Sequence, residues 1–137
     1  MFAFFLYQCY DQIKQAEVIL DFLFEKLDVY QRAVEFANSV YSLCGSFPRG
    51  LYSLSDQSRR AATSISLNIA EGSGRFHCND KKQFYFISRG SIYECVPLLE
   101  ICKEQNLLNI QEYQNLKEKL IIISKMLSKM IQYLEKQ

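Results

Sequence analysis

Eight basic side chains define the chemistry open to this chain: Arg59, Arg75, Lys81, Lys82, Arg89, Lys125, Lys129 and Lys136. The first group surrounds a glycine-bounded connection near residue 75, and the three lysines recur at a spacing that puts them on one stripe of a helix. Guanidinium groups make bidentate contacts to phosphate, and every phosphate neutralised releases counterions. Such a surface would bind nucleic acid in a salt-dependent way. A solvated helix face is the alternative reading of the same lysines.

Bond-making chemistry has no comparable support. One histidine, His77, cannot complete a convincing Ser/His/Asp or Cys/His set. Gly72-Ser-Gly74 lacks the third glycine of a dinucleotide fingerprint and closes a helix instead of following a strand. The five cysteines, Cys9, Cys44, Cys78, Cys95 and Cys102, form no C-x-x-C pair, and their odd number cannot be fully bridged within one chain. Reduced thiols in a cytoplasmic protein are expected, with no metal, no cofactor and no catalytic residue.

The basic residues must be positioned by helices. With 137 residues, two prolines, five glycines and 49% apolar side chains, the chain fits one all-α domain with long elements. A first helix runs from about Leu20 to Cys44 and stops at Gly45; its apolar stripe extends back through Phe5, Cys9, Ile13, Ala16 and Leu20. Ser53 or Ser55 is the expected N-cap of a second helix that Gly72 and Gly74 end. Asn79 or Asp80 caps a third, with Phe84, Ile87, Ser91, Cys95, Leu98 and Cys102 facing inward. Pro97 should kink that helix or divide it. The fourth spans about Ile110 to Leu134. Three short connections favour an antiparallel up-down-up-down four-helix bundle. The N-terminal apolar run lacks a basic flank and is interrupted by charge, so neither a signal peptide nor a membrane span is expected.

Two faces carry more than a core requires. On helix two, Ala61, Ala62, Ile65, Ile69 and Gly72 form the inward side with Asn68 at its edge, and their small size invites close approach by Gly90 and Ser91 of helix three. Arg60, Leu67 and Glu71 project outward and are candidates for a subunit interface. On helix four, Leu116, Leu120, Ile123, Leu127, Met130 and Leu134 form the core stripe, while Ile122, Met126 and Tyr133 form a second, read either as a wide core face or as another subunit contact. Net charge alternates along the chain, −3 over residues 1–48, +4 over 49–89, −3 over 90–116 and +3 over 117–137, so a formal total of +1 still permits a basic surface.

Specific motifs add to this reading. Glu25-Lys-Leu-Asp-Val-Tyr30 with Arg32-Ala33, Phe47-Pro48, Arg59-Arg60-Ala61-Ala62, Asn68-Ile-Ala-Glu-Gly-Ser-Gly-Arg75, Phe84, Gly90-Ser91 and Glu94 resemble a four-helix-bundle family encoded in intervening sequences of bacterial 23S ribosomal RNA genes. The accessory protein of diversity-generating retroelements belongs to the same group. The resemblance covers about Phe24 to the C-terminus, which divides the chain into an extension, 1–23, and a bundle domain, 24–137. It implies a ring-like homopentamer and, in the retroelement branch, a basic surface for RNA or DNA and a reverse-transcriptase partner. A protein-interaction scaffold without nucleic-acid contact is the second functional class. The chain departs from the family pattern at Arg49-Gly50, at Pro97 and in residues 1–23.

Overall fold

The computed structural model describes Met1, Ala3 and residues 22–137. The expected stripe through Phe5, Cys9, Ile13, Ala16 and Leu20 lies outside the described residues. Four α-helices follow a short 3-10 turn, Leu23–Lys26: α1 (Asp28–Gly45), α2 (Tyr52–Ser73), α3 (Cys78–Glu104) and α4 (Ile110–Glu135). No strand occurs among the described residues. Each helix approaches its two neighbours around the bundle, whereas the diagonal pairs α1–α3 and α2–α4 stay apart. With connections this short, the helices alternate in direction.

Helix α1 begins later than its hydrophobic pattern suggests. Leu27 is extended, with φ −74° and ψ 122°, and this breaks the helix from the preceding 3-10 turn. Asp28 then occupies the first turn, where a carboxylate complements the helix dipole, and both its oxygens accept from Nε of Arg32 at 3.0 Å. Val29, Ala33, Phe36, Ala37, Val40 and Cys44 form the buried stripe.

Helix α2 corrects two expectations. It starts at Tyr52 behind Leu51 with no side-chain cap, and Ser55 is buried within it. Gly50, at φ +97°, supplies the left-handed residue that turns the connection, so the reversal is made before either serine. At the other end Gly72 is inside the helix, and Gly74 is its C-cap in ordinary right-handed geometry. The inward residues Ala61, Ala62, Ile65, Ile69 and Gly72 are all buried as expected.

Helix α3 is continuous from Cys78 to Glu104 through Pro97, so it is not two pieces. His77 is its N-cap, which places Asn79 and Asp80 inside the first turn. Ser91, Cys95 and Cys102 are buried, but Ile87 is 51% exposed, and Phe84 and Leu98 are only half-buried. Tyr85, Ser88, Ile92 and Leu99 take the inward positions instead. The reason lies in Ser88, whose hydroxyl donates to the Ile65 carbonyl at 2.8 Å with the side chain fully enclosed. A satisfied serine sets the phase of the helix where two isoleucine-sized side chains would hold α2 and α3 apart. Gly90 does not take part: it is exposed, with nothing within 4 Å of a β-carbon built on it.

The α3–α4 turn is a Schellman motif with Asn106 at φ +58°, Leu107 N–H bonding to the Cys102 carbonyl at 2.9 Å and Asn106 N–H to Lys103 at 3.0 Å. Asn109 then caps α4 in a reciprocal box: its Oδ1 accepts from Glu112 N–H at 2.9 Å, and Glu112 accepts from Asn109 N–H at 2.8 Å. Leu116, Leu120, Ile123 and Leu127 are buried, joined by Tyr113 and Ile131, while Met130 and Leu134 lie at the core's margin.

Candidate nucleic-acid interface

The basic residues separate into three places. Along the α3–α4 seam, Arg89 Nη1 donates to Ser128 Oγ at 3.4 Å, and Lys81 and Lys129 face each other across a cleft that also contains Tyr85 and Tyr133. One step further up the seam, Lys117 and Lys125 flank a second cleft of about 420 Å³ floored by Ile92, Val96, Pro97, Leu120 and Ile121. No carboxylate lines either cleft. The reason is directional: Glu94 is held by Gln57 of α2, and Glu118 turns into the groove on the other side of α4. Burial keeps the Tyr85 phenol above its ordinary pKa, so the lower cleft presents a neutral hydroxyl beside its lysines.

Arg59 is elsewhere. It lines a groove between α1 and α2 with Asp56, Arg60, Leu67 and Asn68, and its guanidinium stands 5.5 Å from the Tyr41 ring centroid. Arg75 is neutralised within its own helix end, donating to Glu71 at 2.6 Å while lying 4.7 Å over the Phe84 ring. Lys82 is half-buried and lines neither cleft, and Lys136 is the exposed C-cap of α4. Of the eight basic residues expected on one surface, the structure places four elsewhere and Lys81, Arg89, Lys125 and Lys129 along the α3–α4 seam. Lys117, missed in the sequence, belongs with them; its position two turns before Lys125 was the available signal.

The residues expected to face another subunit are also divided. Arg60, Leu67 and Glu71 are exposed, Leu67 at 62%. Glu71 is already paired with Arg75. Ile122 lines the α1–α4 groove, a space of about 770 Å³, whereas Tyr133 lines the lower α3–α4 cleft and Met126 packs half-buried against the core. Asn68 serves structure: its Nδ2 donates to the Ser64 carbonyl at 2.8 Å and to Ser64 Oγ at 3.0 Å. Ser64 Oγ in turn meets Ser91 Oγ at 2.8 Å, so the amide reaches α3 through an intermediary and not directly.

Among the described residues no group of three or more metal-ligating side chains occurs, and no helix is long and apolar enough to cross a membrane.

The family model for 23S rRNA-intervening sequence proteins matches residues 25–129. The chain belongs to that family. A solved structure similar to it is that of a protein of unknown function from the S23 ribosomal protein family of Bacteroides thetaiotaomicron, with 23% identity and a TM-score of 0.69 over 75% of this chain and 97% of that one. At that identity the likeness establishes a common fold. No curated protein matches the chain. Each part of the stretch from Asn68 to Arg75 has a structural role: Gly72 allows α3 to approach, Asn68 holds Ser64 of its own helix, which meets Ser91 of α3, and Glu71 pairs with Arg75 at the helix end.

Proposed function

We propose that this protein is a non-enzymatic, homo-oligomeric helical bundle that binds structured RNA or DNA through its α3–α4 face. The observation that carries the reading is the convergence of Lys81, Arg89, Lys117, Lys125 and Lys129 along one seam whose two clefts contain no carboxylate. Cations without competing anions attract phosphate, and repetition of the face around a ring such as a pentamer would concentrate that field. Exposed Leu67 beside Arg60 supports self-association through α2. In a retroelement setting the same face would hold nucleic acid for a reverse transcriptase.

Fluorescence anisotropy with a labelled RNA hairpin, measured as salt rises, tests the proposal. Neutralisation of about four phosphates weakens binding roughly 100-fold between about 50 and 200 mM salt. Lys125→Glu with Lys129→Glu should flatten that dependence. Salt-independent binding, or none, would favour the protein-scaffold alternative.

A further inference from the structure

The upper α3–α4 cleft differs from the rest of the basic seam. Its floor is apolar, its rim is Lys117 and Lys125, and it holds Tyr93 with 73% of that residue's surface exposed. Pro97, also in the cleft, has no N–H to give the Tyr93 carbonyl one turn earlier, which leaves a backbone acceptor without its usual helical donor. A phosphate-binding face alone requires neither an aromatic ring nor an apolar floor.

We propose that this cleft receives an unpaired base of a single-stranded segment, with Tyr93 as the stacking surface and Lys117 and Lys125 on the flanking phosphates. The inference rests on the nucleic-acid reading above and narrows it to strands with unstacked bases. Every base offers a π-face, so stacking on Tyr93 is tolerant of sequence, and an exocyclic amino group can donate to the Tyr93 carbonyl. The cations at the rim match a phosphodiester chain. From Ile92 to Pro97 the floor extends roughly 8 Å along α3, enough for one or two bases and short of the two turns over which an amphipathic helix sets its anchors.

The test compares two fluorescent probes, a cytidine single strand and a blunt RNA duplex of equal charge, by anisotropy at fixed salt. Tyr93→Ala should weaken the single strand roughly tenfold and leave the duplex unchanged. Ile121→Ser, at the same cleft, should act in the same direction, and Lys125→Glu should weaken both probes. Unchanged preference in both cleft variants, with salt-sensitive binding retained, overturns the base site alone. Failure of the native protein to bind either probe overturns the nucleic-acid reading and the base site with it. A fall in oligomer mass on Tyr93→Ala, read by light scattering, would assign the cleft to a second copy of the chain and overturn the proposal.

Discussion

A β-carbon on Gly72 would stand 2.8 Å from Cε1 of Tyr85 and 2.9 Å from Cβ of Phe84. The Tyr85 ring could shift, but the Phe84 β-carbon is fixed to the backbone of α3. Glycine to alanine within a helix ordinarily gains about 1 kcal/mol. Here the steric cost of about 1–3 kcal/mol outweighs it. Gly72→Ala should therefore lower the urea midpoint and the melting temperature; an increase in either would show that α3 recedes without penalty.

Ser88 makes the same approach possible halfway along the pair. Ser88→Ala removes its bond to the Ile65 carbonyl and should cost about 1 kcal/mol. Ser88→Val adds volume at a fully enclosed position and should cost more, about 2–3 kcal/mol. Chemical denaturation of both variants checks the order. Valine as the milder change would place the constraint in polarity instead of space.

These two positions show what sequence reveals and what it hides. Apolar periodicity identified four helices and the inward side of α2, because Ile65 and Ile69 recur where a 3.6-residue repeat requires them. The same reasoning rotated the first half of α3 by favouring Ile87 over Ser88, since a hydropathy pattern contains no term for a hydroxyl that finds a carbonyl on another helix. Charge spacing selected Lys125 and Lys129 from α4. It could not reveal that Arg75 is occupied by Glu71, or that Arg89 reaches α4, because both depend on where side chains end in space.

Capping makes a separate prediction for α4. Asn109→Ala removes one half of the reciprocal box and should cost about 1 kcal/mol. Glu112→Gln, which keeps an acceptor, should cost less. Thermal melts of the two variants distinguish them. Equal losses would mean that the carboxylate charge, not the hydrogen bond, dominates at this end.

Glu35 titrates abnormally because Lys119 donates to it at 2.6 Å and adds its positive charge, with Arg32 contributing in the same direction. Its folded pKa is lowered, so any stability it contributes is present above the ordinary carboxylate value and is lost as pH falls through the depressed one. Lys119→Met should return the Glu35 carboxyl toward 4.5, as read by its NMR side-chain shift against pH. No movement would separate the ion pair from the titration.

The described thiols should divide by exposure. Burial, reinforced by Glu94, pushes Cys95 up to about 12, and burial also raises Cys44 and Cys102. At pH 8 these three remain thiols and resist iodoacetamide, while half-exposed Cys78 is modified first. Peptide mass spectrometry over time checks the sequence of labelling. Early modification of Cys95 would require that α3 opens readily.

The bundle is not equally bound on its four sides. Helices α2 and α3 are joined by a four-residue connection and by Ser88–Ile65 and Ser64–Ser91 hydrogen bonds, whereas α1 and α4 flank a groove of about 770 Å³ bridged at its Ser39 end by the Lys119–Glu35 ion pair. Such an asymmetry gives the native state an order of opening. The α2–α3 hairpin, local in sequence and tightly apposed, forms the slowest-exchanging unit, and the α1–α4 edge is the first to admit solvent. Amide protons near Ile65 and Ser88 then report global unfolding, and those of α1 beside the groove report a partial excursion that leaves the hairpin intact.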